Sequence, residues 1–349
     1  MTREILEKPV VLIPEIFEDN YSPDEEVFSL IYDLPKSVRS MDWNGDLLAY
    51  ATDTGVGVLT PIPRDSPLAK NLPSDLQQEW CFQVTNVLTT SPVTHLRFTS
   101  KFLVMCQENR DIIVMDHLDG KKHSVSGADR HLEDINSIDV SEDGHIVSCG
   151  DDRRVVVWGP NGSTRVKYLD GVPTLVKFWT DKDLDKVIVV EDGSKVKVWN
   201  WRKDEWLYTI YPECFIPGTP PSILDIVTND GNITVIGDGS WKQYVPAELE
   251  GGAGYTFPNS QGRLKGWGVN KCQYLSSTSN CGLIGGVGTD RSFFYNLFGD
   301  NSGHVYQFKL QLPCVSVPAG SINHNGVVAF ASGSRLVLIK PFETYEAVV

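Results

Sequence analysis

The sequence lacks any run of about 20 apolar residues, the length a helix needs to cross a bilayer. Behind Met1-Thr-Arg-Glu4 there is neither an apolar stretch nor a small-residue cleavage site. These absences predict an intracellular chain with no membrane insertion. The seven cysteines (81, 106, 149, 214, 272, 281 and 314) are odd in number, scattered and free of any Cys-x-x-Cys. That argues against a disulfide framework and a zinc site, and predicts small buried apolar residues instead. Basic residues are in deficit, 31 Lys and Arg against 45 Asp and Glu, for a net charge of −14. A surface of that sign repels a phosphate backbone, and no Lys/Arg run with interleaved aromatics offsets it, so direct nucleic-acid binding is not expected. Patterns for chemistry are missing as well. None of the seven histidines forms a His-x-x-x-His or His-Glu-x-x-His pair, and Gly282-Leu-Ile-Gly-Gly-Val-Gly288 lacks the Gly-Lys-Ser/Thr ending of a phosphate loop. The glycine-rich stretch reads as a strand with close backbone approach. No catalytic residue, metal ligand or cofactor is expected, and the chain is read as a non-enzyme.

What the sequence has in abundance is punctuation. Thirty glycines and twenty prolines mark frequent turns, and 41% apolar residues suffice for one sizeable core. The most regular stretch is His131 to Trp158. Ile135, Ile138 and Val140 form a short apolar run that stops at Ser-Glu-Asp-Gly144; His145-Ile-Val-Ser-Cys149 resumes and stops at Asp151-Asp152-Arg153. This segment resembles one blade of a WD-repeat β-propeller. In such a blade a His before the first strand, a Ser on the second, an Asp in the tight turn and a Trp closing the third form a buried hydrogen-bonded chain, because each group needs a partner once desolvated. His131, Ser148, Asp152 and Trp158 stand at those offsets, so their expected role is structural.

Similar first-strand segments begin near Val38, Val93, Ile135, Pro173, Ser222, Leu264 and Gly320, and gaps of roughly 40 to 55 residues suit four-stranded blades. The expected fold is therefore all-β: a single seven-bladed WD-repeat-like β-propeller over residues 26–345. Only three strands follow residue 319, so Glu26-Val-Phe-Ser-Leu-Ile-Tyr32 is expected to supply the last blade's outer strand and close the ring from the N-terminal side. Residues 1–25 are expected to be an acidic leader. Residues 60–79 and 246–262 are expected to be surface loops, with Trp80-Cys-Phe-Gln-Val84 the first blade's outer strand.

The order of the recognisable pieces resembles the nucleoporin thirty-seven family, small WD-repeat propellers of the Y-shaped scaffold complex of the nuclear pore. The pieces are the well-formed repeat His131–Trp158, the Pro173–Trp179 strand, Val189-Val-Glu-Asp-Gly193 leading to Trp199, Gly237-Asp-Gly-Ser-Trp241, Gly320-Ser-Ile, and Gly333-Ser-Arg-Leu-Val-Leu-Ile339. The resemblance implies a scaffold subunit of the pore's outer ring at the nuclear envelope, serving mRNA and protein transport. It implies as partners a large propeller-plus-solenoid nucleoporin and other Y-complex subunits. It assigns no partner-binding residue. A second reading comes from Trp199-Asn-Trp-Arg202, one substitution from the Trp-Asp-x-Arg of substrate receptors for cullin-type ubiquitin ligases, whose Arg reaches the adaptor.

Overall fold

A computed structural model describes residues 28–62, 82–125, 127–179, 185–213, 221–229 and 231–237 continuously, and elsewhere the strand segments given below. Among the described residues there are seven antiparallel sheets of four or five strands, here numbered I to VII by the position of their first-strand segment. Sheet I runs Val38–Asn44, Leu47–Thr52, Gly55–Pro61, Phe82–Leu88; sheet II runs Val93–Phe98, Phe102–Gln107, Ile112–Asp116, Lys122–Ser124. Sheet III is Ile135–Val140, Ile146–Gly150, Arg154–Trp158 and Thr164–Tyr168, and sheet IV is Pro173–Phe178, Lys186–Glu191, Lys195–Asn200 and Glu205–Ile210. Sheet V is Ile223–Asn229, Asn232–Gly237, Ser240–Tyr244 and Ser260–Arg263; sheet VI is Gln273–Thr278, Leu283–Val287, Ser292–Leu297 and Val305–Lys309. In sheet VII, Ala319–Ile322, Val328–Ser332 and Arg335–Lys340 are followed by Phe28–Asp33, which pairs antiparallel with Arg335–Lys340 from Asp33↔Arg335 to Phe28↔Lys340.

The first strands lie side by side. Val38–Asn44 contacts Val93–Phe98, which contacts Ile135–Val140, which contacts Pro173–Phe178; Gln273–Thr278 touches both Ile223–Asn229 and Ala319–Ile322, and the latter touches Val38–Asn44. The apolar core is divided among the gaps between successive sheets. Second and third strands carry near-continuous apolar runs such as Arg154-Val-Val-Val-Trp158, buried at every position, because both of their faces meet a neighbouring sheet. Trp158 packs with Val104, Ile112 and Ile138 between sheets II and III. Trp199 packs with Val147, Val155 and Phe178 between sheets III and IV. Fully burying each Val, Leu or Ile is worth about 1.5–3 kcal/mol, so these interleaved gaps hold the sheets together.

Three expectations change. Residues 1–25 contribute strand edges: Thr2–Ile5 pairs with Phe82–Leu88 of sheet I, Val10–Leu12 with Phe28–Asp33 of sheet VII, and Glu15–Ile16 with Val305–Lys309 of sheet VI. Runs of two to four residues carry no readable period, so the sequence did not show them. Residues 246–262 are also more than a loop. Pro246–Leu249 and Gly252–Tyr255 form a two-stranded hairpin, and Ser260–Arg263 is the outer strand of sheet V, paired with Ser240–Tyr244. Of the glycines that suggested a loop, Gly252 and Gly254 lie on the hairpin's second strand and Gly262 on the outer strand of sheet V, an edge position where glycine is tolerated. Finally, the outer strand of sheet I is Phe82–Leu88, four residues beyond the expected Val84, while Thr60 and Pro61 extend the preceding strand. Residues 63–81, with Trp80 and Cys81, and the Leu264 start lie outside the described residues; the first strand of sheet VI is Gln273–Thr278.

Candidate functional site

In sheet III the structure brings His131, Ser148, Asp152 and Trp158 together. The chain enters the first strand at His131, and the tight turn after Gly150 throws Asp152 back beneath it. His131 Nδ1 donates to Asp152 Oδ1 at 3.0 Å, and Nε2 accepts from Ser148 Oγ at 2.8 Å. Trp158 Nε1 donates to the same Ser148 Oγ at 2.9 Å. The pattern requires a neutral imidazole with its proton on Nδ1. Asp152 also accepts from the Leu132 amide at 2.8 Å and from Arg154 Nε and Nη2 at 2.8 and 2.7 Å. Burial alone raises the Asp152 carboxyl, but His131, Leu132 N–H and Arg154 outweigh it and hold the group below the usual carboxylate range. For His131 burial wins over the Asp152 contact, and its pKa is lowered. Gly150 is demanded by this packing, since a Cβ there would stand 2.5 Å from the Asp134 carbonyl oxygen and 3.1 Å from His131 Nδ1.

Sequence reasoning missed a second polar system, along the first strands. Asp42, Arg97, Asp139 and Lys177 occupy one register position, the residue before Trp43, Phe98, Val140 and Phe178, on four successive sheets. Their charges alternate. Asp42 Oδ2 accepts from the Phe98 amide of the next sheet at 2.8 Å, and Asp139 Oδ2 accepts from the Phe178 amide at 2.8 Å. Lys177 Nζ donates to the Ile226 carbonyl at 2.8 Å and ion-pairs with Asp225 on sheet V. Arg97 Nε lies 3.8 Å from Asp139 Oδ1. Burial pushes the Asp42 and Asp139 carboxyls up, with Arg97 as the leading opposing influence. Beside Arg97, burial and the guanidinium charge bring His95 down to about 4. The signal was available in the aligned first-strand segments, as charges of alternating sign at a fixed offset.

The two ends of the sheets differ in chemistry. At the end with the connections between first and second strands and between third and fourth, a cavity of about 470 Å³ is lined by His145, Asn161, Ser163, Arg165, Trp201 and Arg202, among others. Arg202 stacks on Trp201, 4.5 Å from the ring centroid, and pairs with Asp185. Asn200, which stands where the receptor box has Asp, accepts the Lys203 amide on Oδ1 at 3.0 Å and so caps the turn. At the opposite end, around the Asp152 turn, lie exposed Leu132, Tyr168 and Tyr211.

No family model matches this sequence, and no curated protein matches it. Solved structures do. The WD40 β-propeller domain of Doa1 is similar over 90% of this chain and 96% of that one, with a TM-score of 0.63 at 14% identity. The fold is a β-propeller. A streptogramin B lyase structure is similar to the same extent, covering 90% of this chain and 97% of its own, with a TM-score of 0.62 at 11% identity. A neighbour named as a WD40 domain and another named for a lyase share the architecture, so function must be argued from side chains rather than from the fold.

Proposed function

We propose that this chain is a non-enzymatic protein-interaction scaffold: a closed ring of seven blades, sheets I to VII, whose polar interior provides rigidity and whose faces bind another protein. The carrying observation is where the buried ionisable groups are used. Asp42, Asp139 and Lys177 bond to the backbone of the next sheet, and His131 and Asp152 bond within one network with Ser148 and Trp158. These groups join strands rather than converge on a space for substrate, whereas catalysis needs them convergent. Ring closure is supported by the run of neighbouring first strands and by Phe28–Asp33 completing sheet VII.

The finer reading is a structural subunit of the nuclear pore's outer-ring Y-shaped complex, at the nuclear envelope, bound to a large propeller-solenoid nucleoporin and other subunits of that complex. It is supported by the placement of the motifs that carry the resemblance: Pro173–Phe178 with Trp179, the turn at Glu191-Asp-Gly193, Trp199, Trp241 and Arg335–Lys340 all lie on or beside strands of sheets IV, V and VII. A second reading, the cullin-ligase receptor, is favoured by one observation, Arg202 half-exposed beside Trp201 at the rim of a cavity. Affinity purification of the tagged full chain from native extract, quantified by mass spectrometry, separates them. Scaffold nucleoporins at stoichiometric ratio are expected; a cullin with its adaptor, lost on Arg202→Glu, would establish the second reading instead.

A further inference from the structure

We infer that the end of sheets III and IV bearing the Asp152 turn docks a basic segment of a partner protein, one in which Lys or Arg alternates with apolar anchors. The inference rests on the interaction-scaffold reading and specifies the chemistry of its partner. In an antiparallel four-stranded sheet the start of the first strand, the turn between second and third strands, and the end of the fourth strand share one end. Leu132 stands just before Ile135–Val140, Tyr168 ends Thr164–Tyr168, and Tyr211 follows Glu205–Ile210, so all three lie at this end. They are 72%, 72% and 75% exposed. Large apolar side chains so open, and held by adjoining strand ends, are suited to act as anchors, because little order has to be imposed on them at docking.

The charge around them says what covers them. Glu133, Asp134, Asp151, Asp170 and Asp192 are exposed at the same end, and none has an ion pair among the described residues. The local basic groups are engaged: Arg154 with Asp152, Lys195 and Lys197 with Glu191, Arg130 with Asp111, Arg110 with the Leu132 carbonyl, and Arg153 Nη1 with the Asp170 carbonyl at 3.3 Å. The patch is continuous across the junction. Within sheet III the Asp151 amide donates to the Asp134 carbonyl at 2.9 Å, within sheet IV Asp192 N–H donates to the Val172 carbonyl at 2.8 Å, and between them Asn136 Nδ2 of sheet III donates to the Pro173 carbonyl of sheet IV at 3.1 Å. An acidic field studded with apolar anchors selects cations interleaved with apolar side chains and repels phosphate backbones. The other end mixes signs, with Arg165 and Arg202 at its cavity beside Glu142, Asp143 and Asp185, and serves as an internal control.

The test uses the full chain and two fluorescein-labelled synthetic peptides of equal length, one alternating Lys and Leu, the other Glu and Leu, read by fluorescence anisotropy. The Lys-Leu peptide is expected to bind with an affinity that falls with salt, and the Glu-Leu peptide not to bind. Glu133→Lys/Asp151→Lys/Asp170→Lys and, separately, Tyr168→Ser/Tyr211→Ser are expected to weaken binding by about tenfold or more, the effect of losing one good anchor. All five positions are exposed, so melting temperatures should stay put. Leu118→Ser/Glu142→Lys, at the opposite end, should leave binding unchanged. Equal loss in that control, binding of the Glu-Leu peptide, or wild-type affinity in the charge-reversed variant would overturn the assignment. Native co-purification of the same variants keeps the two readings apart: a partner retained by the charge-reversed variant removes this face and leaves the scaffold reading standing.

Discussion

Sheets III and IV have the same four-strand meander and bury a polar group at the same end, yet they satisfy it by different physics. Sheet III uses a largely neutral relay, Trp158 to Ser148 to His131 to Asp152, with charge confined to the Asp152–Arg154 contact. Sheet IV has no such relay: Glu191, fully buried, takes Lys195 and Lys197 at 2.8 and 2.7 Å and the Gly171 amide at 2.7 Å. Its Trp199 turns to Asp204 at 3.2 Å instead of to a serine. A neutral relay depends on geometry and tolerates salt. A buried carboxylate balanced by two ammonium groups depends on both partners remaining charged.

The largest effect is expected from deleting residues 1–33, which asks whether the two sheets belong to one cooperative unit at all. Loss of Phe28–Asp33 exposes the edge of sheet VII, and amide hydrogen exchange should then show sheets III and IV losing protection together. Unchanged stability of the truncated chain would show that closure is not made by this strand. Next, Glu191→Ala leaves two lysines facing a buried void and should cost about 3–5 kcal/mol in chemical denaturation. Asp152→Ala leaves His131, Leu132 N–H and Arg154 without their acceptor, and should cost about 1–3 kcal/mol. A cost for Asp152→Ala above that of Glu191→Ala would reverse the contrast between the sheets.

The smallest and sharpest difference is in pH. Glu191 is subject first to burial, which raises its pKa, but Lys195, Lys197 and the Gly171 amide bring it down to about 2. A depressed carboxylate contributes stability that is complete above its unfolded value of about 4.5 and disappears as pH falls toward 2. His131, lowered by burial, favours the neutral form, so its contribution is complete above about 6.5 and erodes below it. The pH slope of thermal melts between pH 6.5 and 4.5 should therefore change with His131→Asn and not with Glu191→Gln, while the slope below pH 4.5 should change with Glu191→Gln. His95, brought down to about 4, adds its own slope in the upper window, removable with His95→Gln. Melts that respond identically in both windows would erase the distinction.

The same contrast explains what was legible in the sequence. The sheet III network was visible because its four residue types recur at fixed offsets around turn signals, and the strand starts at Val38, Val93, Ile135 and Pro173 carried enough apolar alternation to place sheets I to IV. Glu191 was invisible: a Glu followed by Lys195 and Lys197 on a strand reads as a solvated face, and only the packing of Gly171 against it reveals a buried site. The belt of Asp42, Arg97, Asp139 and Lys177 required comparing strands with one another rather than reading each alone. Leader strands such as Val10–Leu12 failed for another reason. Three-residue edges carry no period, and their partners are chosen by the rest of the fold. The exposed anchors Leu132, Tyr168 and Tyr211 are likewise ordinary apolar residues until topology sets them at one end.

The pairing of Asp33 with Arg335 spans 302 residues of sequence. At a ribosome working at about 5–20 residues per second, Phe28–Asp33 emerges roughly 15–60 s before the strand it must clasp. For that interval the nascent chain presents a naked strand edge, open to pairing with a neighbour on the same polysome. Pairing across sheet VII therefore waits for nearly the whole chain, and any factor that shelters Phe28–Asp33 during synthesis should decide how often this strand pairs with its own Arg335–Lys340 rather than with that of a neighbouring chain.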